Sequence, residues 1–419
     1  MEDILAHSPP LPLSIGHDEQ NHGLTAKHEE GILIALQYRD RVRRIHLRIP
    51  VPGLQRLITA MDGAFPVLEY LYIMPRTRPN TRFTLPPTFQ APHLRYLVLQ
   101  RFTSPIRSPL LTTAIGLVAL SLRWIDPSTY LHPGHLLQTL SLLSQLKSLE
   151  MGFCSPVPNN NIERQLLHTP MITHATLPSL RWFSFWGVSA YLEALLPNMT
   201  APLLRTFRLH FFNQLSFPLP RLLQFMTTTE SLIFRSAKFL FHDEAVAVFV
   251  QPHEGINLIN FSIDIPCKHL DWQVSSMAQI FNVPSPLSST VADVDLDYRE
   301  HSLSPAWHNQ ADRMQWRQLL RSFSNVKTLR VHSGLIGELS RSLRSDGDPP
   351  LELLPHLEEL ICPVGSRDGE TFAQFIHERE LSGKPVNLTE KIFPVGRNSY
   401  EFDSSAGVIH VGPDPHPVS

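Results

Sequence analysis

The chain contains few residues of the types that build specialised sites: only 3 of its 419 residues are cysteine, and only 18% carry a charge. The cysteines, Cys154, Cys267 and Cys362, lie far apart, which excludes a disulfide framework or a zinc finger and favours a reducing compartment, cytoplasmic or nuclear. The formal net charge of −2 argues against a nucleic-acid partner. No apolar run approaches the ~20 residues that cross a bilayer, so we expect no membrane partner.

Catalytic and cofactor motifs are also missing from the sequence. It contains neither a P-loop nor a G-x-G-x-x-G fingerprint, and the segment 365–369 has its serine in the wrong place for a nucleophile elbow. His28 begins a zincin-like pattern that lacks the second histidine, and the pair His132 and His135 has no third ligand nearby. We therefore predict a protein that is not an enzyme, with no catalytic residues, no cofactor and no metal site.

One acidic run in the sequence resembles part of a calcium-binding loop. Asp293, Asp295 and Asp297 have the alternating spacing of such a loop, but the glycine and the glutamate that complete it are missing. A strand with one polar face produces the same alternation without a metal ion, and we favour that interpretation.

Proline, by contrast, is abundant, at 37 residues. Five prolines stand two residues before a leucine that opens an apolar segment, which is a position that proline fits because it lies just outside a strand. These pairs are Pro66/Leu68, Pro92/Leu94, Pro178/Leu180, Pro202/Leu204 and Pro355/Leu357.

The proline pairs belong to a repeat with the pattern L-x-x-L-x-L, in which any large apolar residue can replace leucine. Twelve copies, one of them degenerate, begin at Val42, Leu68, Leu94, Leu117, Leu146, Leu180, Leu204, Thr229, Leu258, Val291, Val326 and Leu357. Between several copies, apolar residues recur with helical spacing, as in Leu54, Leu57, Ile58 and Met61. Strand and helix therefore alternate, with one of each per repeat.

This alternation predicts an α/β fold, a leucine-rich-repeat solenoid or horseshoe with parallel strands on the concave face and helices or irregular segments on the convex face. We assign a flexible N-terminal segment to residues 1–23, the solenoid to 24–390 and a C-terminal tail to 391–419. Within a strand, alternation points Leu97 into the core and leaves Val98 exposed on the concave face.

The candidate binding site is the concave face, because a solenoid usually binds its partners there and because Tyr, Trp and Arg are enriched at binding hot spots. We predict that a protein partner contacts the outward strand positions, although they could also be ordinary exposed residues. The positions are Tyr70, Tyr72, Tyr96, Arg123, Trp182, Trp186, Arg208, His210, Asp293 and Asp295.

The lead motif Ala-Pro-x-Leu-Arg, at 91–95 and again at 201–205, and the closing segment 353–360 resemble the F-box leucine-rich-repeat-like proteins that are expanded in mushroom-forming fungi. The resemblance covers about residues 24 to 385. It implies that the repeats capture a protein substrate for a cullin ubiquitin ligase, whose Skp-type adaptor binds an N-terminal F-box.

The F-box itself is not recognisable in this sequence. Leu11 and Pro12 are followed by Leu-Ser-Ile-Gly, without the acidic residue and the amphipathic helices that open an F-box. We therefore do not expect the chain to bind a Skp-type adaptor. The alternative function is a free-standing repeat scaffold with no link to ubiquitination.

Overall fold

The computed structural model describes residues 11–18, 24–76, 83–103, 108–126, 131–155, 173–212, 214, 216–217, 219–232, 234–252, 259–281, 286–299, 313–344, 353–364 and 372–392. The expected C-terminal tail 391–419 lies almost entirely outside these residues, as do residues 1–10 and 19–23 of the expected N-terminal segment.

Most of the described strands belong to one 15-stranded sheet. In chain order the strands of the molecule are β1 (Leu13–His17), β2 (Val42–Ile49), β3 (Tyr70–Pro75), β4 (Tyr96–Gln100), β5 (Ala119–Ile125), β6 (Ser148–Phe153), β7 (Ala175–Thr176), β8 (Trp182–Gly187), β9 (Met199–Thr200), β10 (Thr206–Phe211), β11 (Ser236–His242), β12 (Ala245–Gln251), β13 (Phe261–Pro266), β14 (Asp293–Arg299), β15 (Thr328–Val331), β16 (Glu359–Pro363) and β17 (Asn387–Lys391). Strands β7 and β9 form a separate two-stranded sheet.

Helices connect many of these strands. They are α1 (Ala26–Gln37), α2 (Val51–Ala60), α3 (Pro109–Thr113), α4 (Pro133–Leu140), α5 (Ser189–Leu195), α6 (Pro220–Thr228), α7 (Leu270–Phe281), α8 (Pro286–Thr290), α9 (Arg313–Arg321), α10 (Ile336–Leu343) and α11 (Ala373–Leu381). No helix of the described part is long and apolar enough to span a bilayer.

The local sequence explains where several helices begin. Thr25 caps α1 by accepting a hydrogen bond from the His28 backbone N–H at 3.2 Å. Helices α2, α3, α4 and α6 have proline in the first turn, where the missing N–H costs nothing. The carboxylate of Glu193 accepts the backbone N–H groups of Arg221 and Leu222, at 2.9 and 2.8 Å, and so caps α6 from the preceding repeat.

The leucine-rich-repeat fold predicted from the triplets is confirmed. In all but one of the triplets the second and third apolar positions lie on a strand of the main sheet. The alternation separates a core side from an open side, as in β8, where Phe183 and Phe185 are buried and Trp182 and Trp186 are half-buried. One continuous apolar core runs from Ile15 to Val386 between the sheet and the helices. This continuity is typical of repeats that bury their apolar faces against each other.

The sheet extends further at both ends than the triplets predict. Leu13–His17, within the segment expected to be flexible, forms β1 and pairs in parallel with β2, with the Ile15 side chain buried. At the other end, β17 pairs in parallel with β16. Both strands lack the full repeat signature, because a terminal strand buries fewer apolar side chains than an inner one.

The largest departure from the predicted order lies in the middle of the chain. The degenerate triplet at 229–234 precedes the strand instead of forming it: Leu232 and Phe234 are buried, and β11 begins at Ser236. Strand β12 then returns antiparallel to both β11 and β13. The spatial order is therefore β10-β13-β12-β11-β14, which reverses three strands relative to their order in the chain.

Candidate functional site: the open face of the sheet

We call the side of the sheet that carries Tyr70, Tyr72, Trp182 and Trp186 the open face, because the core lies on the opposite side. Strand pairing aligns its residues in lateral rows. One row begins with Arg44, Tyr70, Tyr96, Ala119, Ser148 and Trp182, and the next with His46, Tyr72, Val98, Ser121, Glu150, Ser184 and Arg208. Neighbours within a row stand about 4.8 Å apart, which brings their side chains into contact.

The predicted tyrosines form one cluster with a histidine and an arginine. The ring of His46 stacks on Tyr72 with centroids 4.3 Å apart, Tyr70 lies 6.0 Å from Tyr96, and the Arg44 guanidinium lies 4.1 Å from the Tyr70 ring centroid. Burial raises the pKa of Tyr70 and of Tyr72 above the ordinary value, although neighbouring arginines oppose the shift. Both phenols therefore remain hydrogen-bond donors at neutral pH.

His46 connects this cluster to the first strand. Its Nε2 lies 3.7 Å from the Asp18 carboxylate, and Arg48 lies 3.9 Å from the same side chain. Burial lowers the pKa of His46 and the charges of Arg44 and Arg48 lower it further, against the opposing effect of Asp18. The imidazole is therefore mainly neutral at pH 7.

Arg123 lies on the open face, but it is only 9% exposed. Its Nε donates to Glu150 Oε2 at 2.6 Å, and the Ser121 hydroxyl donates to the same oxygen, also at 2.6 Å. Arg123 is one of the residues predicted from the sequence to be available to a partner. The structure places it in an internal ion pair, because Glu150 occupies the adjacent strand.

Val98 also differs from the expectation, since it is only 8% exposed. Its lateral neighbours are Tyr72 on β3 and Ser121 on β5. A bulky ring at strand spacing shields a short side chain, so position on the open face does not guarantee exposure.

The two tryptophans at the carboxyl ends of β5 and β8 meet above a glycine. The strand pairing is irregular between Leu122 and Ile125, and Trp124 has a φ of 59°, which is unusual for an aromatic residue. Trp124 thereby lies 6.4 Å from Trp186, between ring centroids. Gly152 on the intervening β6 provides the space, because a Cβ there would lie 3.1 Å from the Trp186 Cβ.

Trp186 contacts a polar pair of residues on the next two strands of the sheet, β10 and β13. Its ring lies 4.1 Å from that of His210, between centroids, and Nδ1 of His210 contacts the Asp264 carboxylate. Arg208 on the same strand is exposed, and Trp182 is half-buried at the amino end of β8. The structure thus brings together Trp186 and His210 and leaves Arg208 and Trp182 accessible.

The predicted acidic residues of β14 divide into two groups. Asp295 and Asp297 enclose the Lys238 ammonium, at 3.4 and 2.8 Å, and both also face the His332 ring, at 3.2 and 3.1 Å. Burial would raise the pKa of Asp295, but His332 and Lys238 outweigh it and hold that pKa below its ordinary value. Asp293 lies in the adjacent row and is half-buried.

The same network acts on the lysine. Burial would lower the pKa of Lys238, but the charges of Asp295 and Asp297 outweigh it and keep that pKa above its ordinary value. This cluster is an internal ion-pair network between β11, β14 and β15. Among the described residues, no group of His, Cys, Asp and Glu is arranged to hold a metal ion.

Three residues that contact the predicted side chains, Trp124, Glu150 and Lys238, were not predicted from the sequence. Glu150 could have been found, because it occupies the outward position in its own triplet. Lys238 could not have been found, because the degenerate triplet predicted the strand at 229–234, before the observed start of β11 at Ser236. Strand β12 had a usable signal in the valine-rich apolar run 245–250, which directly follows the Asp-Glu turn at 243–244.

Comparison with known proteins adds little to this description. No protein-family model matches the chain, and no curated protein matches it. Among solved structures, the chain is similar to the crystal structure of the leucine-rich repeat-containing protein LegL7 from Legionella pneumophila, with 12% sequence identity, a TM-score of 0.28 and coverage of 71% of this chain and 84% of that chain. A similarity this weak carries no argument, so the fold assignment rests on the strand topology.

Proposed function

We propose that this chain is a non-enzymatic interaction solenoid that binds a protein partner on the open face. The observation that carries the proposal is the concentration of half-buried tyrosine and tryptophan side chains on that face, at Tyr70, Tyr72, Tyr96, Trp182 and Trp186. Large aromatic side chains supply contact area at low conformational cost, and they dominate the binding energy of protein interfaces.

The area of this face is suited to a protein segment. A stable protein interface buries about 1,200–2,000 Å² in total. Three strands, at about 4.8 Å spacing, lie between Tyr70 and Trp182 along one row, so a segment that contacts both also covers the strands between them. The Arg123–Glu150 ion pair and the His210–Asp264 contact lie further toward the carboxyl ends of the strands and order the side chains of that part of the open face.

We propose further that the partner is a substrate of a ubiquitin ligase, on the strength of the lead motif at 91–95 and 201–205. In both copies the alanine and the leucine of the motif (Leu94 and Leu204) are buried and the proline is exposed, immediately before β4 and β10. A direct adaptor interaction is not part of this proposal, because residues 13–17 are a strand paired with β2 instead of F-box helices. The alternative remains a free-standing scaffold.

The test is affinity capture with quantitative mass spectrometry, using the full chain and two matched tryptophan variants. Trp182→Ala removes a side chain from the open face, and Trp272→Ala removes one that is 53% exposed on α7 at the helix side. We expect Trp182→Ala to deplete a specific partner, which is then purified and measured directly, and Trp272→Ala to retain it. Equal depletion by both variants would contradict binding on the open face.

The adaptor question needs its own experiment. Purified Skp-type adaptor is mixed with the purified chain and analysed by size-exclusion chromatography. We expect no stoichiometric complex. If a partner identified by capture is ubiquitinated in cells only when this chain is present, the ligase proposal is supported, and if its ubiquitination is independent of the chain, the scaffold alternative is favoured.

A further inference from the structure

A groove of about 440 Å³ lies on the helix side of the solenoid, away from the open face. One wall is helix α6, which contributes Arg221, Gln224, Phe225 and Thr228 at helical spacing. The other wall is the 3-10 turn Leu196–Asn198 followed by β9. A volume of this size is within the range of small-molecule sites.

The lining of this groove is apolar on one side and polar on the other, with a cation at the rim. Leu196, Met199 and Phe225 are buried and face the space together with three short apolar residues, Pro197, Ala201 and Pro202. The polar lining consists of Arg221, Gln224, His174, Thr200, Thr228 and Thr229. Among the lining residues that the structure describes, Arg221 is the one permanently charged side chain, and none is a carboxylate.

Arg221 has unused hydrogen-bonding capacity. Its guanidinium carries five N–H donors, and the acceptor observed for it in the described structure is Gln224 Oε1 at 3.4 Å. The nearby carboxylate, Glu193, is directed at the backbone instead and accepts the N–H groups of Arg221 and Leu222. Among the described residues no carboxylate lies within ion-pair distance of the guanidinium, although the charge of Arg221 acts on the nearby Glu193, and the start of the helix that carries the cation is held in place.

We propose that this groove binds a small carboxylate with an apolar body, independently of the partner on the open face. The guanidinium pairs with the carboxylate, because charge-assisted bonds of this type are the strongest that an arginine makes. The apolar body covers the exposed rings of Pro197 and Pro202, beside the buried Leu196, Met199 and Phe225, and removes that apolar surface from water. Binding on the helix side would leave the aromatic open face free.

Three probes with the same apolar body and different head groups test this proposal: octanoate, octanol and octylammonium. Each is titrated into the full-length protein labelled with ¹³C at the methionine methyl groups. Met199 lines the groove and reports binding there, and Met151, in the core beneath β6, is the internal control. We expect saturable shifts of Met199 with octanoate at concentrations at least about tenfold lower than with the other two probes.

Arg221→Gln removes the charge and leaves the backbone bonds to Glu193 in place. We expect it to abolish the preference for octanoate over octanol, and we expect Arg221→Lys to retain part of that preference. Arg205→Gln makes the same charge change at an exposed position outside the groove and should behave as wild type. An octanoate affinity that is unchanged in Arg221→Gln, or shifts that appear at Met151 but not at Met199, would overturn the proposal.

Discussion

Strands β2 to β10 and strands β11 to β15 build the open face in different ways. In the first region each new strand of the main sheet is added beside the previous one, so open-face neighbours come from consecutive triplets, as with Tyr70 and Tyr96. In the second region the β11–β12 hairpin reverses the order, and Lys238 meets Asp295 from a strand that is not next in the chain. The regular region carries the aromatic surface and the rearranged region carries a buried ion-pair network.

The open face therefore has two roles in this protein: it exposes side chains in one region and pairs them with one another in the other region. Parallel strands of regular length expose long side chains that a partner can contact, as in β3 and β8. The antiparallel hairpin instead places Ala247 and Leu240 on the open face, both buried, between charged rows. There the ionic side chains satisfy one another, and little remains for an external partner.

The largest effect that we predict concerns the core of the regular region. Leu97→Asp places a charge at a fully buried position, which costs several kcal/mol and abolishes cooperative folding. Val98→Asp is expected to destabilise measurably but less, because its carboxylate can reach water at the open face. Thermal unfolding followed by circular dichroism compares both with His93→Asp at an exposed turn. Equal losses for Leu97→Asp and Val98→Asp would contradict the assigned register.

The second prediction concerns the rearranged region. Lys238→Met removes the cation between Asp295 and Asp297 and leaves two mostly buried carboxylates facing each other, with an expected loss of about 2–4 kcal/mol in the free energy of unfolding.

The matched control for Lys238→Met is Lys327→Met, whose pair with Glu358 at 3.2 Å is more than half exposed on both sides. We expect that variant to lie within about 0.5 kcal/mol of wild type. Urea unfolding of the two variants measures the difference. Similar losses would show that the network contributes no more than a surface ion pair.

The two regions also differ in how far the sequence predicts them. In the regular region the triplets predicted the strands, the buried positions and the outward side of Tyr70, Tyr96, Trp182 and Trp186, because a period of two determines which side chains share a face. The partners of Arg123 and His210 were not predicted, because lateral contacts depend on which strand becomes the neighbour.

In the rearranged region the position of β11 and the existence of β12 were missed. A hairpin joined by a two-residue turn has no counterpart in the repeat, and its apolar residues on both faces conceal the alternation. Consequently Asp293, Asp295 and Asp297 were predicted as a surface patch, whereas two of them neutralise Lys238.

The third prediction is a difference in acid sensitivity that originates in the rearranged region. The pKa of Asp295 is held below its ordinary value of about 3.9, so its ionised form favours the folded state. That contribution is present above the ordinary pKa and is lost as the pH falls through the lowered pKa. We expect Asp295→Asn to be less stable than wild type at pH 6 and to approach it as the pH falls below the ordinary pKa of an aspartate, as measured by urea unfolding. A stability gap that does not change with pH would indicate a steric effect of the amide.

The smallest effect tests the packing of the two tryptophans in the regular region. Gly152→Ala introduces a Cβ that would lie 3.1 Å from the Trp186 Cβ, so the indole of Trp186 must move away from Trp124, at a cost of about 1 kcal/mol. Gly116→Ala is the control, because its Cβ would meet nothing within 4 Å. We expect the near-ultraviolet circular dichroism of the tryptophans to change in Gly152→Ala and not in Gly116→Ala. If Trp124 and Trp186 belong to the partner surface, Gly152→Ala also weakens capture of the partner, whereas unchanged capture would confine the binding surface to the rows that contain Tyr70, Tyr96 and Trp182.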